Sequence, residues 1–185
     1  MNTERNKILY AIFIVALFIV IYIRNSIGWY DHDEFAHVNS LRHFKFEYLF
    51  SVWQRPGFKL FYLPFYWADV NVLRLVNLGL LGIDCWLLWK IAQVRALSRL
   101  QPDKCGINAG VWQPVLIFLS MPFVMMLGCR FYSETLMMFL MTLAIYFYTT
   151  NKKTYFALVV SYMPLVRVEA VLLFIPSIIY LWREK

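Results

Sequence analysis

Three carboxylates fall within four positions of the stretch YDHDEFAHVNSLRHF (Tyr30 to Phe44): Asp31, Asp33 and Glu34. They come shortly after a run without a charge, Ile8 to Ile23. A carboxylate partly withdrawn from water can act as a general base, because burial disfavours its ionised form and raises its proton affinity. The same residues at a helix start can instead cap the first turn from solvent, and the string alone leaves both readings open. His37 lies four residues after Asp33 and so shares its helical face. With His32 these residues make a modest metal site at most; no cofactor is expected, and a divalent metal is not indicated. Three arginines form the second set: Arg55, Arg130 and Arg167. A charge at or in a membrane is costly and marks either function or an ion pair, and the planar arginine fork binds phosphate through two parallel bonds. The structural alternatives are snorkelling to the interface and, for Arg130, an (i, i+4) pair with Glu134.

Composition says what must hold these groups. Of 185 residues, 61% are hydrophobic and 16% charged, against about 45–50% and about 25% in soluble domains. Mean hydropathy is +0.57. Long uncharged runs in such a chain predict a multi-span membrane protein. The net charge of +7 has a topological origin. Lys and Arg gather at Arg5 and Lys7, at Lys90, Arg95, Arg99 and Lys104, at Lys152 and Lys153, and at Arg183 and Lys185. Short basic loops stay cytoplasmic, so nucleic acid is not expected as a partner. The cysteines, Cys85, Cys105 and Cys129, show neither a metal-binding spacing nor a disulfide framework.

The predicted fold is all-α, a polytopic helical bundle of about six spans forming one transmembrane domain over residues 1–185. Ile8–Ile23 is expected to be a retained first span, since Arg24-Asn25-Ser26 offers no small-residue cleavage site. Residues 24–71 are expected to form an extracytoplasmic loop of interfacial amphipathic helices. One stripe in it is Phe35, Val38, Leu41 and Tyr48, and another is Phe58, Phe61, Tyr62 and Phe65, with a turn at Arg55–Gly57 between them. Further spans are expected from about Val72 to Ile91, from near Val111 to Cys129, and over Thr135–Asn151. Thr154–Trp182 is too long for one span, about 43 Å at ~1.5 Å per residue against a hydrocarbon core of ~30 Å. Pro164, Pro176, Arg167 and Glu169 favour two short helices turning near Arg167, with both termini cytoplasmic. Asp31, Asp33, Glu34, Arg130, Glu134, Arg167 and Glu169 then share one depth at the extracytoplasmic face. Asp84, inside the second span, is expected to be protonated or to meet a hydrogen-bond partner on another helix.

The order of these features resembles a known family. A span is followed by His32-Asp33-Glu34, an aromatic interfacial loop, and then helices carrying CRFYSETLMMFLMTLAIYFY (Cys129 to Tyr148) and PLVRVEAVLLFIP (Pro164 to Pro176). This resembles the amino-terminal half of integral-membrane glycosyltransferases of the GT-C superfamily, in particular the polyprenyl-phosphate-dependent mannosyltransferases. Their first loop carries an Asp-Glu pair, often as His-Pro-Asp-Glu; here the proline is missing. Arg130, Ser133 and Glu134 match a later outer turn, and Arg167-Val168-Glu169-Ala170 matches an Arg-Pro-Thr-Ala-like string without its proline.

The resemblance implies transfer of a sugar, with inversion, from a polyprenyl-phosphate donor to a hydroxyl of a glycan or lipid-linked acceptor outside the cytoplasm. Asp33 and Glu34 would be the catalytic acids. Arg130, Glu134, Arg167, Arg55 and His37 would bind substrate, and the loop aromatics would roof the cavity or line the carrier's groove. The chain would be a short or truncated form of such an enzyme. Two other classes fit the same sequence: a catalytically silent subunit that binds a lipid carrier and completes a second membrane protein, and a small transporter or flippase subunit using Asp84.

Overall fold

The computed structural model describes residues 32–47, 55–99 and 112–183, with scattered helical positions between 12 and 23. All regular structure among the described residues is helical. The α-helices are α1 (His32–Arg42), α2 (Pro56–Tyr62), α3 (Val70–Arg99), α4 (Gln113–Ser120), α5 (Pro122–Gly128), α6 (Ser133–Thr149), α7 (Lys153–Val166) and α8 (Phe174–Arg183). Two 3-10 segments, Leu63–Phe65 and Val168–Leu173, follow α2 and α7. Of the expected first span only the scattered positions between 12 and 23 are described, and all of 24–31, with Tyr48, lies outside the described residues.

Helix α3 is the backbone of the assembly. Its stretch Val70–Arg95 is long and apolar enough to cross a membrane, and among the described residues it is the one helix that is. It packs along α6, and α6 along α7. Between α3 and α6 the chain does not run as the single span expected from Val111 to Cys129. It is two short helices broken at Met121, which is extended (φ −75°, ψ 113°). The cause is Pro122, whose ring drives the residue before it out of the helical region and which has no N–H to continue the ladder. Gly128 ends α5 pressed against Leu81 of α3, where a Cβ would come within 2.4 Å of a Leu81 methyl.

The stretch after Lys153 is two helices, as its prolines and charges suggest. Pro164 lies in the last turn of α7, Arg167 is extended (φ −145°, ψ 126°), and the chain restarts through Val168–Leu173 into α8. Helix α8 folds back: Tyr180 near its end meets Phe156 near the start of α7 and Tyr148 on α6.

The loop between the first and second expected spans packs more deeply than an interfacial stripe. On α1 the buried residues are Glu34, Val38 and Leu41, whereas Phe35 is 59% exposed. A glutamate occupies the place where periodicity puts a hydrophobe. On α2, Phe58 and Tyr62 are fully buried and meet Phe131 at ring-centroid distances of 5.0 and 4.8 Å. These two rings are core, so the expected roof or groove of loop aromatics is corrected for them; Phe61 and Phe65 pack at the edge of the same cluster. The turn at Arg55–Gly57 is present: Arg55 is left-handed (φ 48°, ψ 68°) and Pro56 begins the helix, where a missing N–H costs nothing. Gly57 permits α2 to touch α7, since a Cβ there would lie 2.8 Å from the backbone of Leu165. Tyr162 of α7 donates to the Gly57 carbonyl at 2.6 Å.

Candidate functional site

The polar residues converge where α1, α2, the N-terminus of α6 and the break after α7 meet. Two glutamate–arginine assemblies stand there, one behind the other. In the inner one, Arg74 of α3 grips Glu34 with both arms of its guanidinium, Nε to Oε1 at 2.8 Å and Nη2 to Oε2 at 2.6 Å. The Phe131 N–H donates to the same Oε1 at 2.9 Å. Glu34 is 0% and Arg74 3% exposed. A charge pair this dry persists only when its bonds replace lost hydration, and here both carboxylate oxygens are engaged. One turn along α3, Asn77 accepts from the Tyr62 hydroxyl and donates to the Arg130 carbonyl. Arg74 and Asn77 together clamp the 130–132 turn that leads into α6.

The outer assembly centres on Glu134, in the first turn of α6, where a negative charge suits the helix dipole. Arg167 Nη1 donates to Glu134 Oε1 at 2.7 Å, and Arg55 Nη1 lies 3.9 Å from Oε2. Arg55 also donates to the Ser133 hydroxyl, which donates in turn to Glu134 Oε2 at 3.2 Å. Arg167 Nε reaches Glu169 at 3.5 Å. The side chains of Arg55, Glu134 and Arg167 are each between a quarter and a third exposed. The left-handed turn at Arg55 and the extended break at Arg167 thus aim two guanidinium groups at one carboxylate.

His37 joins this cluster from α1. Its Nε2 lies 3.3 Å from Arg55 Nη1. Guanidinium nitrogen can only donate, so Nε2 accepts and the ring proton sits on Nδ1. Burial first, and Arg55 second, lower the His37 pKa to about 4, against the opposing charges of Glu134 and Asp33. The ring is therefore neutral at pH 7 and occupied at Nε2, which disfavours it as a base there. Asp33 is exposed beside this group. Lys59 of α2 is 1% exposed and adds a further cation near His37; burial lowers its amine to about 8. Glu169 is held below the usual carboxylate range by its own backbone N–H and then by Arg167.

Of the residues singled out from sequence, His37, Arg55, Glu134 and Arg167 are brought together and Asp33 stands at their rim. Glu34 is behind the site, enclosed by Arg74 and Phe131, with no exposed oxygen to meet a substrate. The geometry reassigns it from chemistry to support. Arg130 is half-buried at the α5–α6 turn, its carbonyl held by Asn77. Asp31 lies outside the described residues. Asp84 is fully buried on α3 beside Thr142 of α6, whose hydroxyl is turned to the Met138 carbonyl at 3.0 Å. Among the described residues no group of three or more His, Cys, Asp and Glu is placed to hold a metal ion. Sequence reasoning missed Arg74 and Lys59. An arginine near the start of a mostly apolar span is the available signal for the first; for Lys59, among aromatics, the sequence offers no signal.

Beside Arg167 and Glu169 a cleft of about 390 Å³ opens, walled by Met137, Ala170, Leu172 and Leu173. At Leu173 it adjoins a second cavity of about 360 Å³ between α6, α7 and α8, lined by residues such as Met141, Tyr148, Phe156, Val160 and Tyr180. No family model matches this chain, and neither a curated protein nor a solved structure is significantly similar to it.

Proposed function

We propose that the chain is a multi-pass membrane glycosyltransferase of the GT-C kind, which moves a sugar with inversion from a polyprenyl-phosphate donor to an extracytoplasmic acceptor hydroxyl. The observation that carries this reading is the convergence of Arg55, Glu134, Arg167 and His37, with Asp33 at the rim, beside an apolar cavity. A lipid phosphate needs cationic donors at the membrane surface and a hydrocarbon-lined space for its chain; Arg167 and the cavity beyond Leu173 provide that pairing. Six spans with both termini cytoplasmic would put the cluster on the extracytoplasmic side, as the basic loops favour.

In the proposed reaction the acceptor hydroxyl attacks the anomeric carbon from the face opposite the phosphate. Asp33 takes the hydroxyl proton as the C–O bond forms. The bond from the anomeric carbon to the phosphate oxygen breaks, and the growing negative charge is met by Arg167 and Arg55. Arg167 has Nη1 on Glu134 and Nε near Glu169, which leaves Nη2 to meet the leaving phosphate. Glu134 fixes the direction of both forks and orients the sugar.

The test uses membranes containing the chain, supplied with radiolabelled polyprenyl-phosphate mannose, beside membranes lacking it. Label should pass to an acceptor only where the chain is present; equal transfer in both would remove the enzymatic reading. Arg167→Ala should lower kcat/KM for the lipid donor by about 10²–10³, the usual effect of deleting one donor to a developing anion. Unchanged kinetics would return Arg167 to a structural role.

A further inference from the structure

Arg74 holds two walls of the open cluster through its pair with Glu34. Through Glu34 it fixes α1, which carries Asp33 one residue before and His37 three residues after. Glu34 Oε1 also accepts the Phe131 N–H, two residues before Ser133 and three before Glu134. One buried carboxylate therefore ties the acid-bearing helix to the turn that delivers the Glu134 end, and Arg74 is what allows that carboxylate to remain charged in a dry place. Asn77 secures the same turn from the next turn of α3. A hydrophobe at position 34 would leave both the buried Arg74 guanidinium and the Phe131 N–H without that carboxylate.

We propose that Arg74 is a positioning residue: its two-armed grip on Glu34 sets the register of Asp33 and His37 against Arg55, Glu134 and Arg167. The functional meaning of that register rests on the glycosyltransferase reading, but the register itself does not. His37 reports it directly. The charged groups acting on the ring are Arg55, Glu134, Asp33 and Lys59, drawn from α1, α2 and α6 and the turn before α2. If α1 slips, the ring gains water and loses Arg55, and its titration midpoint must rise from about 4 toward the ordinary 6.5. The chain has three histidines, and His32 and His43 are exposed, so they serve as internal references.

The experiment is an NMR titration of histidine-labelled full-length chain in detergent micelles, comparing wild type with Arg74→Lys. Lysine keeps the charge but lacks the planar fork. The expected result is a His37 midpoint raised by one unit or more, with His32 and His43 unmoved. Leu41→Ala is the control: it removes a buried contact of α1 without touching the pair, and should lower the unfolding temperature while leaving the His37 midpoint in place. Should Arg74→Lys not fold, the double variant Glu34→Gln with Arg74→Gln removes the buried charges together, and the same rise is expected from it. An unmoved His37 midpoint in the folded variant, or an equal rise in Leu41→Ala, overturns the proposal. A raised midpoint in a chain that transfers no sugar from polyprenyl-phosphate mannose would uphold the positioning role and sink the enzymatic reading separately.

Discussion

Two glutamates, one hundred positions apart, each face arginine, and their surroundings divide their roles. Glu34 is sealed with one arginine and a backbone N–H, with both oxygens satisfied. Glu134 is shared by two arginines and a serine hydroxyl, about a quarter exposed, with a cleft beside its partner Arg167. Saturation and dryness make the first a rigid joint. Incomplete enclosure and shared partners make the second a place where an anionic ligand can exchange with a carboxylate for the same guanidinium groups. Similar residue types thus give a strut in one setting and, in the proposed reading, a recognition site in the other, and solvent access is what separates them.

The comparison breaks most visibly at the strut. Arg74→Ala leaves Glu34 in the core with the Phe131 N–H but without its guanidinium partner, and breaking a buried pair this way costs on the order of 3–5 kcal/mol. The chain should lose most of its cooperative unfolding transition in detergent, as followed by circular dichroism. A variant that unfolds like wild type would mean the pair is not buried in the protein in solution.

A selective lesion to the outer assembly is available at Gly57. A Cβ there meets the Leu165 backbone, which cannot move aside as a side-chain tip could. Gly57→Ala should cost about 1–3 kcal/mol, as overpacking does. It should also separate Arg55 from the Arg167 side, lowering sugar transfer by more than the stability loss accounts for. Transfer and stability falling in step would argue that the α2–α7 contact does not shape the site.

The smallest expected change in stability is at Glu134 itself. Partly exposed pairs contribute about 0–1 kcal/mol, so Glu134→Gln should unfold near the wild-type temperature. Its signature is electrostatic. Glu134 raises the His37 pKa, so the amide should push the His37 midpoint below about 4, opposite to the shift expected from Arg74→Lys. The same histidine gives wild type a pH dependence with a definite sign. Its folded pKa is depressed, so between pH 6.5 and about 4 the unfolded chain binds the proton first. His37's share of stability is therefore complete above 6.5 and declines as pH falls through that window; unfolding temperatures measured from pH 7 to 4 check it.

Much of this arrangement is legible in the residues. Long apolar runs require helices, Pro164 and Arg167 require the break before α8, and Arg55-Pro56-Gly57 requires a turn. The structure brings Glu134, Arg167, Arg55 and His37 together, four of the residues singled out from the sequence. Two features escape such reading for physical reasons. Hydrophobic periodicity puts Phe35, Val38 and Leu41 on one interfacial stripe, and it cannot foresee that Glu34, paired with an arginine forty positions later, is buried beside Val38 and Leu41. It also treats Phe58 and Tyr62 as interface anchors, because an aromatic stripe looks the same whether lipid or Phe131 covers it. The break at Met121-Pro122 was readable in principle, but hydropathy averages across a proline.

The most direct measurement for the whole account is the transfer rate of Asp33→Asn, made beside wild type in the same membranes with polyprenyl-phosphate mannose as donor. Asp33 is exposed and lies outside both glutamate–arginine pairs, so the amide should insert and unfold as wild type does. Transfer should be abolished while donor binding persists. Transfer at the wild-type rate would remove the general base and contradict the proposed chemistry at this site.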